Sequence, residues 1–133
     1  MSSCGGSLIN DAFVLTAAHC VFGTVAIFLQ PFNYGLVGCT LRSNCPNRIH
    51  FAYYRTNPAY IPGVVPTIGL ANDIAVLRLA TPFTASSYPA NVRPVCLPSA
   101  RLPVLGGYSL SVAGWGIGLT LSTTDELREV SIH

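Results

Sequence analysis

The sequence has 133 residues and a formal net charge of +2, with 50% hydrophobic but only 9% charged residues. All its basic side chains are arginines, spread along the sequence at Arg42, Arg48, Arg55, Arg78, Arg93, Arg101 and Arg128 without a run. This argues against a nucleic-acid partner, and no apolar stretch approaches the roughly 18 residues of a membrane-spanning helix.

The chain reads as all-β. Ser7 to Ile9 and Phe13 to Thr16 are expected as short strands around an Asn10-Asp11 turn. Val25 to Leu29 reads as another strand, from its β-branched and large apolar residues. Gln30 to Pro46 reads as loop, Ile49 to Arg55 as an aromatic-rich strand, and Pro58 to Gly69 as loop again. Ile74 to Leu79 is a strong strand, Pro82 to Pro94 a long connection, and Leu110 to Ala113 and Leu127 to Ile132 two further strands. Short strands with Gly/Pro punctuation suggest a barrel or sandwich. The low charge content leaves little polar surface for a lone domain of this size. Part of the surface is therefore expected to pack against more protein. The first residues, Met1-Ser2-Ser3-Cys4, show neither the charged nor the apolar region of a signal peptide.

Five cysteines stand at Cys4, Cys20, Cys39, Cys45 and Cys96, with no CxxC pair and no zinc spacing. A disulfide framework, and so an oxidising compartment, is the expected reading, and no metal or other cofactor is implied. The odd count leaves one cysteine without a partner inside the chain. Ionisable side chains are scarce enough for elimination. Before residue 124 the carboxylates are Asp11 and Asp73; the histidines of the whole sequence are His19, His50 and the C-terminal His133. Asp11 belongs to a turn and His50 to a strand edge. His19 ends the run Val14-Leu15-Thr16-Ala17-Ala18-His19-Cys20, where an apolar strand gives way to two alanines and an imidazole. Were Cys4 to pair with Cys20, the loop would be held still, as a general base requires. Asp73 opens the apolar strand Ile74-Ala75-Val76-Leu77. A carboxylate there is partly buried and needs hydrogen-bond donors, and an imidazole N–H is one. The bland alternatives are a structural histidine and a strand-capping carboxylate.

Five segments carry a resemblance: Cys4-Gly5-Gly6-Ser7-Leu8-Ile9, Leu15-Thr16-Ala17-Ala18-His19-Cys20, Asn72-Asp73-Ile74-Ala75-Val76-Leu77, Arg93-Pro94-Val95-Cys96-Leu97-Pro98 and Gly114-Trp115-Gly116. In this order they resemble the trypsin/chymotrypsin-like serine proteases. The resemblance implies a trypsin-like double β-barrel with its active site between the barrels. Residues 1–98 would be the first barrel and linker, and 99–133 the start of the second. His19 matches the general base of the Ser-His-Asp triad, and Asp73 the carboxylate that orients it. Cys4 and Cys20 match the disulfide bracketing the histidine. Cys96 matches a cysteine that in many members bridges to a light chain or pro-segment; a free buried thiol is its alternative reading. Cys39 and Cys45 lie in an apparent insertion and are reminiscent of an extra loop disulfide in some arthropod clip-domain proteases.

The departures are as informative. The Ile/Val-Val-Gly-Gly start is absent, and so is the Gly-Asp-Ser-Gly-Gly segment that carries the nucleophile. No serine here has glycines at both −2 and +2. The resemblance therefore implies a secreted serine endopeptidase acting on protein or peptide substrates, present as a fragment inactive by itself. The alternative is a non-catalytic homologue acting as a binding or cofactor module. The isolated chain is expected to behave poorly in solution, because sheet edges and apolar surface would be left open. Trp115 reads as plain packing and the arginines as solvated surface.

Overall fold

A computed structural model of the chain describes residues 4–21, 34–61, 71–98, 109–115 and 125–132. Its regular elements are strands β1 (Ser7–Leu8), β2 (Phe13–Thr16), β3 (Tyr34–Leu36), β4 (Arg48–Thr56), β5 (Ala75–Leu79), β6 (Leu110–Gly114) and β7 (Arg128–Ile132). One turn of 3-10 helix, Ala18–Cys20, follows β2. Among the described residues there is no α-helix, as an all-β reading requires.

The first hairpin turns on Asn10, whose side-chain oxygen accepts the backbone N–H of Ala12 and of Phe13, both at 2.9 Å. This is the local hydrogen bonding that makes Asn a turn residue. β2 then pairs with β5 on its other side, and not with β3, the next described strand. The five-stranded sheet has the order β1-β2-β5-β4-β3, with every pairing antiparallel. Between Phe51 and Tyr53 the β4–β5 register slips by a bulge. Ile49, Phe51 and Tyr54 on the near side of that slip and beyond it all pack against the core.

β5 is the centre of the core. Ala75, Leu77 and Leu79 are buried in strict alternation, and Val14, Ala18 and Val21 close over them. That period of two is the signature of a strand buried on one face. The connection after β5 is held by side-chain chemistry. Tyr88 donates its hydroxyl proton to Asp11, Phe83 stacks on Tyr88 with ring centroids 4.5 Å apart, and the Arg93 guanidinium lies 5.5 Å from the Tyr88 ring centre. The aspartate hydrogen bond, then burial and the Asp11 charge, hold the Tyr88 hydroxyl above the ordinary tyrosine range.

β6 and β7 form a separate two-stranded sheet. Leu110 faces Ile132 and Val112 faces Val130, so four apolar side chains share one face, and all four are exposed. The hairpin meets the rest of the structure through the Cys39–Cys45 loop. Arg42 N–H donates to the Asp125 carbonyl at 2.9 Å, Leu127 N–H to the Thr40 carbonyl at 2.8 Å, and Trp115 Nε1 to the same Thr40 carbonyl at 3.0 Å.

The strands read from the sequence are found within a residue or two, with three corrections. Gln30 to Pro46 is not all loop, because Tyr34–Leu36 is a strand paired with β4. Gly35 breaks the local propensity there, and only pairing across the hairpin makes the segment extended. His50 is the third residue of a nine-residue strand, not its edge. Trp115 spends its indole N–H on a carbonyl and so does more than fill space. Val25 to Leu29 lies outside the described residues.

Candidate active site

The β2–β5 ladder brings together two residues that are 54 apart in sequence. Thr16 pairs with Ala75 at the last rung. His19 follows Thr16 through the 3-10 turn, and Asp73 precedes Ala75, so both leave the same end of an antiparallel pair. Each side of this arrangement is braced locally. The Ala17-Ala18 pair lets the chain turn tightly, and Ala18 is fully buried. Asn72 adopts a positive φ of 62°. Asn tolerates this left-handed conformation better than most residues. The Ile74 N–H then closes on the Asn72 carbonyl at 2.9 Å, with Asp73 at the apex of the turn.

Asp73 receives two hydrogen bonds from His19. The backbone N–H donates to Oδ1 at 2.8 Å, and ring Nδ1 lies 2.6 Å from Oδ2. The Asp73 side chain is 11% exposed and the imidazole 51%. Burial pushes the Asp73 carboxyl up. The His19 side-chain and backbone hydrogen bonds, the His19 charge and the Ala18 N–H outweigh it, so the carboxyl sits below the ordinary aspartate value. It is therefore ionised at neutral pH, and an ionised carboxylate can only accept. Nδ1 must carry the proton, which leaves the lone pair of a neutral imidazole on Nε2. That nitrogen has only the Cys20 sulfur, a weak acceptor, near it at 3.8 Å among the described residues. Among the described residues no hydroxyl is bonded to the ring.

Cys4 and Cys20 form a disulfide that ties the residue beside His19 back to the segment that leads into β1. Their sulfurs and the His19 ring offer three donor atoms within 4.8 Å. Both sulfurs are spent on each other, so this group does not make a metal site. A second disulfide joins Cys39 to Cys45 within the loop between β3 and β4. Cys96 is free and exposed, which removes the reading of a buried thiol. The Val95 N–H donates to the Leu8 carbonyl at 2.8 Å and pins this segment against β1.

A family model described as Trypsin matches residues 1–133. The chain belongs to the trypsin family. Similar family members include phenoloxidase-activating factor 3 of Holotrichia diomphalia, 35% identical over 142 residues that cover 97% of this chain and 38% of the relative. Human cathepsin G is 34% identical over 132 residues, covering 99% of this chain and 47% of the relative. Bovine duodenase-1 is 33% identical over 131 residues, covering 98% and 47%. This trypsin-family chain thus spans less than half the length of the curated relatives it matches.

Sequence reading missed three polar arrangements: Asp125 on Ser43, Asp11 on Tyr88, and Asn91 Nδ2 on the Gly38 carbonyl at 2.8 Å. Their partners are between 53 and 82 residues away in the chain, and no local pattern announces them.

Proposed function

We propose that the protein to which these residues belong is a secreted serine endopeptidase, with His19 as general base and Asp73 as the residue that orients it. The observation that carries this reading is the double hydrogen bond from His19 to Asp73. It sets the ring's tautomer and leaves Nε2 as the proton acceptor. In the reaction, a serine hydroxyl gives its proton to Nε2 while its oxygen attacks a peptide carbonyl carbon. The C–N bond breaks as the imidazolium returns the proton to the leaving amine. Water then hydrolyses the acyl-enzyme by the same route. Asp73 stabilises the charge that the ring carries between these steps.

The serine has to come from outside these 133 residues, and residues 1–133 by themselves are inactive. Residues 1–98 are the first barrel with its linker, and 99–133 open the second. The exposed apolar face of Leu110, Val112, Val130 and Ile132 supports this division, because such a face packs against further strands in a closed barrel. Two disulfides support an oxidising, extracellular setting. Cys96, exposed between Val95 and Leu97, fits a bridge to a light chain or pro-segment.

The test is labelling of the full-length protein with a fluorophosphonate, alongside hydrolysis of a peptide ester. Labelling that disappears in His19→Ala supports the endopeptidase. A folded full-length protein that neither labels nor hydrolyses is the non-catalytic homologue instead.

A further inference from the structure

We propose that the outer face of the five-stranded sheet binds a sulfated polysaccharide. The face is assembled from residues that the sequence keeps apart. The bulge in β4 places Arg48 and His50 on the same outward side as Tyr53 and Arg55, and all four are exposed. Arg78 of β5 stands between Tyr53 and Phe13 in the ladder, and Tyr34 of β3 pairs with His50. None of the five strands contains a carboxylate. Elsewhere Asp11, Asp73 and Asp125 are engaged by Tyr88, His19 and Ser43. The remaining carboxylates, Glu126 and Glu129, belong to the segment that forms the second sheet.

Each arginine of this face lies over an aromatic ring. The guanidinium of Arg48 is 4.5 Å from the Tyr34 ring centre, that of Arg78 is 5.3 Å from Phe13, and that of Arg55 is 5.7 Å from Tyr53. Stacking holds a flexible side chain flat while its N–H edges stay available. Less rotamer entropy is then lost when an anion binds. The guanidinium fork matches two oxygens of one sulfate group.

The shape selects among anions. Arg48 to Arg55 spans about 23 Å along one strand at roughly 3.3 Å per residue. That is a row for an extended chain of charges. β4 pairs with β3 over Arg48–His50 and with β5 over Phe51–Thr56, and the charges of this face are carried on its side chains. An acidic peptide adding a strand would be held by backbone hydrogen bonds at a sheet edge, not by arginines standing on the face. A membrane surface would call for apolar side chains to insert, and here a guanidinium group lies within 5.7 Å of the centre of each of the Tyr34, Phe13 and Tyr53 rings. A stiff sulfated polymer, read by charge alone, fits both conditions.

The experiment is a heparin titration of the full-length protein, comparing Arg48→Gln/Arg55→Gln with the charge-matched Arg42→Gln/Arg128→Gln. The first pair is expected to leave the melting temperature nearly unchanged, and the second to lower it slightly through the lost Arg42 charge beside Asp125. Losing two charge-assisted contacts should weaken heparin binding about tenfold in the first pair, and less than about twofold in the second. No heparin binding by the parent protein would overturn the proposal. So would equal losses in both pairs, which would mean net charge alone. Tighter binding of polyglutamate, single-stranded DNA or phosphatidylserine vesicles than of heparin through the same arginines would overturn the choice of ligand.

Discussion

Asp125 accepts two hydrogen bonds from Ser43, the backbone N–H on Oδ1 at 2.8 Å and the hydroxyl on Oδ2 at 2.6 Å, across 82 residues of chain. Together with the Leu41–Glu126 bridge it joins the disulfide loop to the β7 end of the second sheet. Both residues are exposed, and the contact rests on hydrogen bonds to a charged acceptor. The Ser43 side-chain and backbone hydrogen bonds and the Arg42 charge draw the Asp125 carboxyl below its ordinary value, against the effect of burial.

The carboxyls of Asp73 and Asp125 are both held down in the folded state, which sets the direction of the pH dependence. Their contribution is complete above the unfolded aspartate value of about 3.9 and is lost as pH falls through the lower folded values. Melting temperature measured from pH 6 to pH 2 should fall on the acid side. In Asp125→Ala the neutral-pH melt should be lower and the acid slope shallower. An unchanged slope would remove Asp125 from the account.

In the full-length protein, Asp73→Asn should lower kcat by roughly 10⁴-fold. An amide can offer its NH₂ to Nδ1, which moves the ring proton to Nε2 and removes the base. KM should change little, because among the described residues the Asp73 carboxylate is hydrogen-bonded to His19, on the Nδ1 side of the ring and away from Nε2. Steady-state kinetics on a peptide ester would show the split.

The two disulfides should differ in their worth. Cys4 and Cys20 close a separation of 16 residues, Cys39 and Cys45 one of 6. Loop entropy alone gives about 3 kcal/mol for the first and about 2 kcal/mol for the second. Denaturant unfolding of the paired Cys→Ala variants should rank them in that order, and the first should also reduce any activity because it frees the loop that carries His19.

Gly38→Ala should destabilise by about 1–3 kcal/mol. Gly38 has a φ of 71°, and an added Cβ would lie 2.9 Å from both Asn91 Oδ1 and Val92 Cγ2. Asn91 is the residue whose side chain bonds the Gly38 carbonyl, so the substitution strains the backbone and the contact together. Urea denaturation of the variant against Gly5→Ala, where a Cβ meets nothing within 4 Å, isolates the effect.

The sequence by itself determined the all-β character, most strand positions, the family, and the candidate pair His19 and Asp73. Each of these is written locally: a nearly continuous apolar run from Ile74 to Leu79, a turn at Asn10-Asp11, a histidine beside a cysteine, an aspartate opening an apolar strand. The tertiary structure decided what depends on partners distant in the chain. It made Tyr34–Leu36 a strand by pairing it with β4, and it gave Asp125 its role by bringing up Ser43. It also converted arginines scattered at 48, 55 and 78 into one cationic face. Periodicity reports which face of a strand a residue occupies, but not which strand lies beside it. Register and the β4 bulge supply that, and they arise only when the sheet closes around its buried side chains.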